Sequence, residues 1–163
     1  MSGGDAAALL ALAAEQMQRA VDWLRLSYEK CRPWVDAADF SVEQAEVAEA
    51  FSSRFARAVD MFSNKALRAL DVFELAEPGS LLDALHRAEK RGIIDSAEDF
   101  RAMKLLRNSL AHDYAGEGLA EMLRLAVEMT PQLVDAAARW QDYCQRVLQR
   151  NRGSADGFAQ TTR

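Results

Sequence analysis

The sequence predicts an all-α protein, an antiparallel four- to five-helix bundle filling residues 1–150. Three observations carry that prediction. Half of the 163 residues are apolar and 28% are charged, with only 8 Gly and 3 Pro, the balance of a compact chain and not of a disordered one. Ala, Leu, Glu, Arg and Gln dominate, residues that lose little freedom in a helix, while strand formers are thin. Apolar residues also recur at three- and four-residue intervals between serine-headed starts and Pro- or Gly-bearing stops.

A first helix is expected from Asp5 to about Lys30, with Leu9, Leu10, Ala13, Met17, Val21, Leu24 and Tyr28 on its inward stripe. Pro33 ends it, because the residue before a proline is pushed out of helical geometry. Ser41 with Gln44 reads as a capping box. The second helix should run from there to about Leu75 and turn Val47, Phe51, Phe55, Val59, Phe62, Leu67 and Leu70 inward. Glu77-Pro78-Gly79 is a turn, and Ser80 with Asp83 caps a short helix that ends at Gly92, a left-handed C′ residue. Ser96 with Asp99 caps a further helix to about His112, and Gly116 and Gly118 bracket the turn that follows. The last helix, Leu119 to about Gln149, should restart or kink at Thr130-Pro131. Residues 151–163 carry Gly, Ser and Thr and are expected to form a flexible C-terminal tail. Apolar sides left over on helices of this size suit a second copy, so a homodimer is expected.

The net charge of -5 argues against a generic nucleic-acid coat, which needs a broadly basic surface, but leaves room for a local basic patch. Cys31 and Cys144 follow no CxxC or metal spacing and read as free, half-buried thiols of a reducing compartment. The apolar run Ala6 to Ala14 follows Asp5 instead of a basic region and flows into Glu15-Gln16-Met17, so it opens a helix and is no signal peptide. No stretch approaches the ~18–20 apolar residues that cross a bilayer. These features predict a cytoplasmic protein with no membrane partner. Zinc, P-loop, dinucleotide and Ser-His-Asp spacings are all absent, so no metal and no cofactor are expected.

Chemistry concentrates in Arg107-Asn108-Ser109-Leu110-Ala111-His112-Asp113-Tyr114. Of the two histidines, His86 sits among charges on a short helix and reads as solvated. His112 has different company. On a helix turning about 100° per residue, Met103, Leu106 and Leu110 form the inward stripe, and Arg107 lies about 60° from its centre. Asn108 and His112, four apart, share an adjoining stripe flanked by Lys104 and Arg101. An arginine gives phosphate oxygens a permanent forked donor, and a histidine moves protons near neutral pH. The bland reading is that Arg107 pairs with a core carboxylate such as Asp60 or Glu74, while His112 merely complements a helix C-terminus.

This segment resembles the R-x4-H-x-Y signature of the HEPN superfamily. It is most similar to the toxin branch paired with minimal nucleotidyltransferase (MNT) antitoxins, which overlaps the nucleotidyltransferase substrate-binding proteins. The likeness covers about residues 51–114. The resemblance implies a metal-independent endoribonuclease acting on RNA, with the motifs of two subunits facing each other across a dimer cleft. It would make Arg107 the stabiliser of the phosphorane-like transition state and His112 the general base or acid. Asn108 would position one of the two, with Lys104 and Arg101 helping to bind substrate. Tyr114 would be the residue that the partner nucleotidyltransferase adenylylates to silence the toxin. The alternative is a non-catalytic partner that presents substrate to that nucleotidyltransferase.

Overall fold

The computed structural model describes residues 2–112 and 118–160, the last seven as backbone only. In chain order its helices are α1 (Gly3–Cys31), α2 (Val42–Asp60), α3 (Leu67–Phe73), α4 (Leu81–Lys90), α5 (Ala97–His112) and α6 (Leu119–Gln160). A 3-10 turn follows α1 at Arg32–Trp34, and a π-helical turn at Met61–Ala66 joins α2 to α3 without a break. No strand occurs among the described residues, and no helix among them is long and apolar enough to cross a membrane.

Serines set the helix starts. Ser2, Ser41 and Ser80 each accept the amide of the residue three positions on, whose Asp or Gln side chain accepts the serine amide in return. Each exchange satisfies two donors that a helix start otherwise leaves orphaned. The Ser96 hydroxyl accepts the Asp99 amide at 3.1 Å, while Glu89 reaches over to take the Ala97 amide at 2.7 Å. The first helix thus begins two residues before the expected Asp5, because Ser2 and Asp5 form an unanticipated capping box.

One apolar cluster joins the helices, with Met17 and Leu24 from α1, Phe51 and Phe55 from α2, Met103 from α5 and Trp140 from α6. Helix α1 lies against α2, α3 and α6; α5 lies against α2 and α6; α4 packs on α3 and α5. Leu9, expected inside, is exposed, since it stands about 100° round from fully buried Leu10 and α1 keeps Ala6, Leu10, Ala13 and Met17 inward. A polar lattice fastens α3, α4 and α6: Arg87 and Arg91 both donate to Asp71, Arg91 also to Glu74, and the Tyr143 hydroxyl to Glu74 at 2.7 Å.

Helix α6 corrects two expectations. It does not restart at Thr130-Pro131. A restart would need the Thr130 hydroxyl to accept a forward amide, whereas it is buried and donates back to the Ala126 carbonyl at 2.7 Å. Leu123 and Ala126 before the proline and Leu133, Ala136 and Trp140 after it keep one buried stripe, and that burial outweighs the one hydrogen bond Pro131 forfeits. The helix also runs on to Gln160, beyond the expected end near Gln149.

The two inner C-termini show what left-handed backbone costs. Gly92, at φ 71°, closes α4 as expected: its amide bonds Glu89 and that of Ile93 bonds Ala88, both at 2.9 Å. Leu75, at φ 56°, closes α3 with the same pair of bonds, to Val72 and from Ala76 to Asp71. A left-handed L residue costs about 1–2 kcal/mol, and the Leu75 side chain is 89% exposed, so it returns no packing. Leu75→Gly should therefore stabilise the fold by about 0.5–1 kcal/mol, whereas Gly92→Ala should destabilise it by about 1 kcal/mol with no steric contribution, since nothing lies within 4 Å of the added methyl. Urea denaturation of both variants checks the opposite signs.

Candidate functional site

Phe100, Met103, Leu106 and Leu110 are the buried stripe of α5, and they fix how its polar residues face out. Arg107 and Lys104 emerge at the edge of that stripe, their side chains 29% and 19% exposed. Both meet Asp60, the last residue of α2. Lys104 Nζ donates to Oδ1, while Arg107 donates to Oδ2 from Nε at 2.9 Å and from Nη2 at 2.6 Å. Arg107 Nη1 donates in turn to Asn108 Oδ1 at 3.3 Å. Of the two core carboxylates that could pair with Arg107, it is Asp60 that does so; Glu74 is taken by Arg91 and Tyr143.

The π turn begins directly after Asp60, and the Leu67 amide bonds the Phe62 carbonyl five residues back. In that wider turn residues four and five apart share a face, which lets Asp60, Met61, Asn64 and Lys65 border one cleft. The cleft encloses about 730 Å³, with Arg57 beside them and Arg107, Leu110 and Ala111 as the α5 wall. Arg57 and Lys65 are exposed and pair with no carboxylate among the described residues. The sequence reading missed these two cations. Their signal was the spacing Arg57, Met61, Lys65 at four-residue intervals, beside the inward stripe Phe55, Val59 and Phe62.

One chain does not bring every expected residue to this cleft. His112 is exposed at the end of α5, about 7.5 Å along the axis and about 140° round from Arg107. It shares with Asn108 and Arg101 a stripe that faces away from the cleft wall. Arg101 is spent on Glu98, one turn earlier, at 2.9 Å on the surface. Tyr114 and Gly116 lie outside the described residues. His86 is exposed, as its charged surroundings suggest.

Burial is the largest influence on the Asp60 carboxyl and would raise its pKa, but the hydrogen bonds and charges of Lys104 and Arg107 outweigh it and hold the group below the ordinary carboxylate value. Cys31 and Cys144 are fully buried, not half-buried, and burial first of all pushes them up to about 11 and about 12. Neither thiol is a nucleophile near neutral pH. Among the described residues no three His, Cys, Asp or Glu side chains stand close enough to share a metal ion.

No family model matches the chain, and no curated protein or solved structure is significantly similar to it.

Asp60 joins α2 to α5, and its removal leaves Lys104 and Arg107 as unneutralised neighbours. Asp60→Asn should cost about 1–3 kcal/mol at neutral pH, and Arg107→Ala, which leaves Lys104 on the carboxylate, about 1 kcal/mol. A depressed folded-state pKa contributes stability above the unfolded value, near 3.8, and loses it as pH falls through the folded one. The gap between wild type and Asp60→Asn should accordingly stay level down to about pH 4 and close below it. Urea titrations across that range read it directly.

Proposed function

We propose that the chain is a HEPN-like endoribonuclease toxin, acting in the cytoplasm as a homodimer without metal, and held in check by an MNT-type nucleotidyltransferase that adenylylates Tyr114. The observation that supports it best is the posture of Arg107. Asp60 holds one edge of the guanidinium, so the fork stands fixed at the mouth of a cleft that adds Arg57 and Lys65. A fixed cation costs no reorganisation when negative charge builds on a phosphorus.

In the reaction this implies, the ribose 2′-oxygen bonds to the adjacent phosphorus as the bond from phosphorus to the 5′-oxygen breaks. A base takes the 2′-hydroxyl proton and an acid returns one to the leaving 5′-oxygen, giving a 2′,3′-cyclic phosphate. Arg107 stabilises the phosphorane oxygens. Each chain offers one His112, so a dimer that sets two α5 faces opposite each other supplies both an acid and a base. It also gives His112 a cleft that a single chain does not give it. Tyr114 follows Arg107 by seven residues in the chain, and its adenylylation would add a bulky anion that competes with the RNA phosphate.

A second reading draws on the same ion pair. Lys104 and Arg107 both face Asp60, which suits a structural tie in a non-catalytic partner that presents substrate to a nucleotidyltransferase.

Expression of Arg107→Ala or His112→Ala should no longer inhibit growth, with helical circular dichroism unchanged, since loss of a proton-transfer group costs about a hundred- to ten-thousand-fold in rate. A folded variant that stays toxic contradicts the mechanism, and an unfolded Arg107→Ala favours the structural tie. With the nucleotidyltransferase and ATP, the Tyr114 peptide should gain AMP, and Tyr114→Phe should stay toxic beside its partner. Equal neutralisation of Tyr114→Phe would mean that inhibition works by binding alone.

A further inference from the structure

Beyond the Arg107 cleft, two smaller hollows of about 260 and 340 Å³ lie where α1 crosses α2, the π turn and α3. All three share Lys65; the first two also share Arg57 and Met61, and the outer two share Gln16. They adjoin along the row Arg57, Met61 and Lys65, which borders the α5 cleft on one side and the α1 hollows on the other. The linings together carry six cations, Arg19, Arg54, Arg57, Lys65, Arg68 and Arg107, against the single carboxylate Asp60. On a chain of net charge -5 this is a marked segregation of charge. Arg57, Lys65 and Arg68 have no ion-pair partner among the described residues, so their charge is available to a ligand.

This surface also holds an aromatic platform. Trp23 on α1 is 50% exposed, unusual for a side chain of its area. The Arg54 guanidinium lies 4.8 Å from its ring centroid and donates to the Trp23 carbonyl at 3.4 Å and to Ser27 Oγ. The indole thus carries a cation over its ring and remains half-exposed. Base stacking on an exposed ring beside a cationic path is how single strands are bound, and a paired base cannot use such a ring.

We propose that the cationic surface running from the Arg107 cleft across Arg57 and Lys65 to Trp23 is a binding track for single-stranded RNA, with its phosphates on the cations and a base stacked on Trp23. That the polymer is RNA rests on the ribonuclease reading; the charge and the ring ask only for an unpaired nucleic-acid strand.

The test is the affinity of the full-length protein for a labelled single-stranded RNA of about ten nucleotides, measured in EDTA on a His112→Ala background that keeps the strand intact. Trp23→Ala should weaken binding about five- to hundredfold, and Trp23→Phe should recover most of the loss. Arg57→Ala with Lys65→Ala should flatten the salt dependence of log K by about 1.4. A duplex of the same sequence should bind more weakly and ignore Trp23. The track is wrong if these variants bind like the parent. It is equally wrong if they convert a dimer to a monomer in sedimentation without changing RNA affinity, for then the face is a subunit interface. Binding that follows Trp23, Arg57 and Lys65 when wild-type protein cleaves nothing supports the track and removes the nuclease. Cleavage by wild type with indifferent Trp23 variants does the reverse.

Discussion

Asp60 sits where the main helical rod changes register, and two cations from α5 converge on it. A carboxylate about one-third exposed gains little from either partner alone, because solvent screens the pair. Two partners at hydrogen-bond distance are a different case: together they overcome the burial that would otherwise favour the protonated acid. The consequence is positional. Arg107 stands at a cleft with its orientation fixed, and the two walls of that cleft, α2 and α5, are joined at the same point.

The arrangement also divides the arginines by task. Arg87 and Arg91 are spent on Asp71 and Glu74 inside the α3, α4 and α6 lattice, and Arg124 and Arg139 on neighbouring surface acids. Arg57, Lys65 and Arg68 have no carboxylate partner among the described residues and line the cleft and the hollow beside it. Charge segregation of this kind sustains a positive local potential on an acidic protein. A net charge therefore speaks to generic binding and not to a particular groove.

What the sequence made legible was local. Ser41 with Gln44, Ser80 with Asp83 and Gly92 act through bonds three to five residues long, and each is where the pattern put it. The inward stripe of α5 was legible for the same reason. The restart that Thr130-Pro131 suggested does not occur, because the local penalty of the proline yields to a buried stripe on both sides of it, which is a tertiary fact. The π turn has no local sequence signature, and the four-residue spacing of Arg57, Met61 and Lys65 marks a shared face without saying what lies opposite it. Arg57 and Lys65 lie more than forty residues from Arg107 in the chain, and only the packing of α2 on α5 brings them to one cleft. The angle of about 140° between His112 and Arg107 was legible on a helical plot, but the plot does not say that the cleft lies on the Arg107 side.

That separation makes the second subunit central to the account, and the chemistry of the cut ends is its most direct test. Purified wild-type protein, incubated with RNA in EDTA, should leave 2′,3′-cyclic phosphate ends, and an otherwise identical strand carrying 2′-O-methyl groups should stay whole. RNA left intact by folded protein, or cut only when magnesium is restored, would contradict the reading of Arg107 and His112 as a metal-free nuclease pair.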